Sequence, residues 1–88
     1  MLAKFTSKLQ KSPGKGGWTY ATWDKTAETF GTRGAVKIRG TVDGHPIATS
    51  FMPMGNGLQM LPINAATRKA IKKEAGDNVE ITIIEHLN

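Results

Sequence analysis

The residues best suited to chemistry cluster in two stretches. In FGTRG, Arg33 stands between Gly31 and Gly34. Glycines let backbone come close to a ligand, and a guanidinium can grip an anion through two parallel N–H bonds. In WTYATW, Trp18 and Tyr20 fall on one face of a strand and Trp23 at its end. Flat rings can stack on a planar group, and Arg39 follows on a later strand. Trp18, Tyr20, Arg33 and Arg39 are therefore the candidate ligand-binding set, suited to a small anion. The competing use of Trp18, Tyr20 and Trp23 is burial. The chain has six aromatic residues, and three of them on an exposed patch would leave the interior thin. Core is the preferred reading for these rings.

Other reactive types lack the company that chemistry needs. His45 follows the Asp43-Gly44 dipeptide and His86 lies near the C-terminus, neither with partners at metal-ligand spacing. Ser7, Ser12 and Ser50 have no glycine-flanked nucleophile elbow. Asp43 and Asp77 adjoin glycines, where a carboxylate ordinarily bonds turn backbone. Gly14-Lys15-Gly16-Gly17 lacks the Gly-Lys-Ser/Thr that opens a phosphate-cradling helix and is read as a loop. No catalytic residue, metal or cofactor is expected. The chain has no cysteine, so neither disulfides nor thiolate chemistry enter, and a cytoplasmic setting is expected.

Twelve Lys and Arg against seven acids give a net charge of +5. That balance suits an acidic partner or nucleic acid. Arg33, Lys37, Arg39, Arg68, Lys69 and Lys72 are the candidate nucleic-acid contacts. Lys37 and Arg39 share a strand face, and Arg68, Lys69 and Lys72 crowd one helix with Lys73.

The elements that must position these groups can be read in order. Ala3 to Leu9 alternates, with Ala3, Phe5, Ser7 and Leu9 on one face of a first strand. Residues 11–17 form a loop. The aromatic strand 18–23 follows, then a short helix capped by Asp24, running to Phe30 and ended by a left-handed Gly31. Residues 35–42 and 45–52 flank Asp43-Gly44, a strong two-residue hairpin signal. A two-residue loop sets Val42 against His45, Gly40 against Ile47, Ile38 against Thr49 and Val36 against Phe51 on the apolar face. Lys37, Arg39 and Thr41 then face Ser50, Ala48 and Pro46. Gly40 opposite Ile47 suggests a small-against-large fit or a sharp bend. After a turn at 54–57, residues 58–61 form a short strand with Leu58 and Met60 on one face. Asn64 caps a helix from Ala65 to Glu74 that turns Ala66, Ala70 and Ile71 to the core. Gly76-Asp77 turns the chain, and Val79, Ile81 and Ile83 are the buried face of the last strand.

Eighty-eight residues make one domain, expected over 1–88, with one modest core. No apolar run approaches the roughly 20 residues of a membrane span, and MLAKFTSKLQKS does not read as a signal peptide. The expected fold is mostly β: a small closed barrel of six or seven short, mainly antiparallel strands with two short helices.

Taken together, GGWTYATW, FGTRGAVKIRGTVDGHPI, MPMGNGLQMLPINAATRKAI and AGDNVEI resemble, in the same order, a family of small bacterial β-barrel proteins known only as a domain of unknown function. Some members are fused ahead of a YdeI/OmpD-associated domain of the bacteriocin-protection type. Locally, LPINAATRKAIKKEAGDNVEI is similar to the strand–helix–GD-box unit of AbrB-type and antitoxin DNA-binding proteins. The first resemblance implies a barrel and leaves its partner open; the second implies DNA binding by paired chains. With some 60 residues ahead of the unit, this chain has enough length to close a barrel by itself, so a monomer is expected. The expected function is a non-enzymatic module that binds a small anion or a protein partner. Nucleic-acid binding is the alternative.

Overall fold

The computed structural model describes residues 2–12, 18–32, 34–54 and 57–87. Seven strands and two helices follow one another: β1 (Ala3–Lys8), β2 (Gln10–Lys11), β3 (Thr19–Trp23), α1 (Thr26–Phe30), β4 (Val36–Val42), β5 (His45–Pro53), β6 (Gln59–Pro62), α2 (Ala65–Ile71) and β7 (Asn78–His86). All pairings are antiparallel, in the order β1-β7-β4-β5-β6-β3-β2. The result is the mostly β, nearly closed barrel that the alternation in the sequence implies.

Closure comes from one bent strand. β1 pairs with β7, and after Leu9 the chain continues as β2, which pairs with β3. Leu9 is the corner. Its N–H donates to Asp77 O, its carbonyl accepts from Gly76 N, and its side chain is buried. Ser7 stitches the seam, because its buried hydroxyl accepts the Thr22 N–H at 3.1 Å. A strand that changes partners in this way leaves few unpaired edges.

The β4–β5 hairpin has the expected register throughout, from Val42↔His45 to Val36↔Phe51. Asp43 and Gly44 both have positive φ, at 49° and 83°, as a type I′ turn requires. Inward positions of five strands form the core: Val36, Ile38, Val42, Phe51, Leu61, Val79, Ile81 and Ile83, with Ala21 and Ile63. An aromatic cluster fills one end. Phe5 stacks on Trp23 with centroids 4.5 Å apart, and both lean on Phe51. Phe30 of α1 packs on Phe51 and His86 from outside.

Several expectations shift. Trp18 is not core: it is 51% exposed, because the face of β3 that enters the core carries Ala21 and Trp23 and alternation puts Trp18 on the other. Tyr20, one ladder pair further in, is 8% exposed and belongs to the interior. Asp24 does not cap α1; Lys25 occupies the cap position and makes no side-chain cap bond. Gly31 does end that helix in the left-handed region, at φ 71°.

In β6, Gln59 and Leu61 point inward, while Leu58 and Met60 are half-buried. Asn64 caps α2 as expected, its Oδ1 accepting the Thr67 N–H at 2.8 Å. The helix stops at Ile71 instead of Glu74, with Lys72 left-handed at φ 60°. The cap also sets the helical phase. It turns Thr67 and Ile71, one turn apart, toward the core and leaves Ala66 and Ala70 exposed.

Candidate functional site

Two prolines make an opening in the barrel wall. β5 and β6 pair only at Met52↔Met60 and Pro53↔Gln59. Continued, that register would set Ser50 against Pro62, but Pro62 has no N–H to donate and a ladder rung is lost. The chain instead turns to β3, where Ile63 N donates to Thr19 O at 3.0 Å, and then enters α2. Among the described residues, the first half of β5 has β4 on one side and no strand on the other. Pro46 lies on that open edge, a position where its missing N–H breaks no rung.

The opening is a groove of about 600 Å³, within the roughly 300–1,000 Å³ typical of ligand sites. His45, Ile47 and Thr49 of β5 form its floor, Asn64, Thr67 and Arg68 one wall, and Trp18 the other. Trp18 is held at its backbone. Its N–H donates to Ser12 Oγ at 2.7 Å, and its carbonyl accepts the Ser12 N–H. The backbone at the base of the half-exposed indole is thereby anchored.

Arg68 is the cation of the groove. Its side chain is 18% exposed; Nε donates to Glu74 Oε1 at 2.9 Å, and Nη1 donates to the Ile63 carbonyl. Those bonds fix the planar fork. With five N–H donors in a guanidinium, others are left for an acceptor in the groove. On the far side of Pro62, a shallower hollow of about 500 Å³ touches the same edge, lined by Lys37, Ala48, Ser50, Met52 and Leu87.

The candidate ligand-binding set is only partly brought together. Trp18 lines the groove, and Tyr20 is buried beneath the same strand. Arg39 is on the outer face of β4, paired with Glu85 at 3.0 Å. Arg33 lies outside the described residues. Of the nucleic-acid set, Lys37 and Arg39 do share an outer face, and Lys69 and Lys72 are exposed on and just after α2, whereas Arg68 turns into the groove.

Acids interrupt the basic surface. Besides those of Arg39 and Arg68, ion pairs join Lys4 to Glu80, Lys25 to Glu28 and Lys73 to Asp43. Asp77 behaves as a turn residue, its Oδ2 accepting the Glu74 N–H. Asp43 reaches further than its own turn: Oδ1 accepts the Glu80 N–H of β7 at 2.8 Å and Oδ2 pairs with Lys73 at 3.0 Å. Burial pushes its carboxyl up, but the Glu80 N–H and the Lys73 ammonium outweigh that and hold it below the ordinary value.

Sequence reasoning missed Arg68 as a partner of Trp18, and missed His45, Thr49 and Thr67 as lining. The available signal was Pro62: a proline at the end of a strand marks where pairing stops.

Among the described residues, no group of three or more His, Asp or Glu is placed to hold a metal ion, and no helix is long and apolar enough to cross a membrane. No curated protein matches the chain in sequence. The chain belongs to the family described as "Domain of unknown function (DUF1905)", whose family model matches residues 5–83.

Proposed function

We propose that the protein is a non-catalytic binding module that takes an anionic group, on a small molecule or on a protein partner, into the groove between Trp18, β5 and α2. The observation that carries this reading is the meeting of an exposed indole face and a fixed guanidinium across one groove. An indole offers apolar area to a planar or aliphatic body, and an arginine already oriented by two bonds loses little freedom on gripping a carboxylate or phosphate. The residues lining the groove include His45 but no carboxylate to work with it as an acid–base pair, which favours holding over turnover.

Nucleic-acid binding has less behind it. Arg39 is matched by Glu85, which lowers the field a phosphate backbone would meet, and Arg68 lines the groove instead of joining Lys69 and Lys72 on an outer face.

The test follows tryptophan fluorescence while inorganic phosphate, a glutamate-rich peptide and duplex or single-stranded DNA are titrated at about 50 and about 200 mM salt. The expected result is a response to phosphate or the acidic peptide that is lost in Trp18→Ala and in Arg68→Gln. DNA binding that survives both substitutions and is lost in a Lys69→Glu/Lys72→Glu double variant would replace the groove with the nucleic-acid reading.

A further inference from the structure

We propose that the groove's partner is an extended acidic peptide segment of another protein, which adds as a strand to the open edge of β5. This rests on the groove being the ligand site and names what enters it.

The backbone carries the argument. In a two-residue hairpin the pair that closes the turn exchanges both hydrogen bonds, and such pairs alternate along the ladder. His45, Ile47, Thr49 and Phe51 therefore bond to β4. The other strand shows the same alternation: Lys37 O and Asp43 N bond toward β7, accepting from Leu87 N and donating to Glu80 O. Pro46, Ala48, Ser50 and Met52 accordingly turn their peptide groups away from β4. Met52 meets β6 there. Among the described residues no strand stands opposite Ala48 and Pro46, and the edge offers the Ala48 N–H and two carbonyls. Only an extended backbone matches that alternation of donor and acceptor at strand spacing.

The two hollows lie on either side of this edge. Ala48, Thr49 and Pro62 line both. A strand seated beside β5 would send alternate side chains into each, because successive residues point to opposite faces. On one side they would meet Trp18 and Arg68, on the other Met52 and Leu87. The occupant is therefore a segment with an acidic residue for Arg68 and an apolar neighbour one position away. Charge argues against a second copy of this chain, since each carries +5.

A random peptide library is selected on the purified full chain, and the peptides recovered are measured by calorimetry and by amide exchange. Acidic, extended peptides are expected, with slowed exchange at Ala48, weaker binding at higher salt, and at least tenfold loss in Ala48→Pro. That substitution removes only the outward N–H. Because a proline could also disturb the strand, each peptide is N-methylated at alternate residues. Methylation at positions facing β5 should abolish binding, and methylation at the intervening positions should leave it.

Binding that ignores all N-methylation but is lost in Trp18→Ala and Arg68→Gln overturns strand addition and leaves the groove reading intact. Binding indifferent to Trp18 and Arg68 overturns both. Failure to recover any peptide, or self-association that protects Ala48 without peptide, overturns the proposed partner.

Discussion

Replacing Gly40 with alanine should unfold this barrel at a much lower temperature. A Cβ added there would fall on the Thr82 carbonyl oxygen, and would lie 3.0 Å from the carbonyl carbon and 3.2 Å from Ile83 Cα. All three atoms are backbone of β7, so no side chain can rotate away. The register between β4 and β7 slips at Arg39/Gly40, and at this bulge the β7 backbone occupies the space a side chain would need. Overpacking a core costs about 1–3 kcal/mol and occasionally more. With no flexible neighbour to yield, Gly40→Ala belongs at the upper end, about 3 kcal/mol. For a domain of this size each kcal/mol moves the midpoint by about 4–8 °C, so a drop of roughly 12–24 °C is expected. Thermal and urea unfolding would measure it, with Gly34→Ala as control, since a Cβ there meets only Thr32 Oγ1 at 3.5 Å. A Gly40→Ala protein within about 1 kcal/mol of the parent, on the scale of an ordinary substitution, would refute the close approach of β4 and β7.

Asn64→Ala removes the one side-chain cap of α2 and should cost about 1 kcal/mol in chemical unfolding. Trp18→Ala should change stability by no more than about 0.5 kcal/mol, as for an exposed site, yet weaken acidic ligands at least tenfold, on the scale of a lost aromatic anchor; equal loss of stability and binding would mean the ring is structural. Asp43→Asn should cost about 1 kcal/mol at neutral pH, as the ion pair with Lys73 is lost and the Glu80 N–H bond loses its charge assistance. The folded carboxyl titrates below its ordinary 3.8, so its stabilisation is present above that value and lost as pH falls through the folded one. The gap between parent and variant should therefore close on acidification, and a gap that widened would reverse the assignment.

Much of the fold was legible because local and tertiary signals coincide. Alternation in β1, β4 and β7 marks the faces that are in fact buried. Asp43-Gly44 fixes a hairpin whose every pair agrees with its burial. The misses have physical causes. Trp18 lies on the face of β3 opposite Ala21 and Trp23, and a run of aromatics does not report which face the core takes. Asp24 is a good capping type in the wrong place, since α1 begins at Thr26. In α2, counting apolar residues favoured Ala66 and Ala70, but the Asn64 cap fixed a phase that buries Thr67. Arg68 was legible only as one of a basic cluster. Its bond to the Ile63 carbonyl, five residues back, separates it from Lys69 and Lys72, and residue type alone does not distinguish one cation of a cluster from the next.

The site itself follows from what a barrel must do to close. A fully paired wall would leave no backbone group for a partner and no cleft for a side chain. This chain closes on one side by bending a single strand through Leu9. On the other side Pro62 ends the β5–β6 ladder, and Pro46 sits on the edge so exposed. The groups on its rim are ordered locally, each within its own side: Asn64 with Thr67, Arg68 with Glu74 and Ile63, and the Trp18 backbone with Ser12. A groove whose rim is ordered in this way needs little rearrangement to receive a ligand, which lowers the ordering cost of binding. Restoring the donor by Pro62→Val should therefore extend the ladder to Ser50. The narrowed groove should bind acidic peptides more weakly while the midpoint of unfolding rises, a pairing of effects that a merely damaged fold cannot produce.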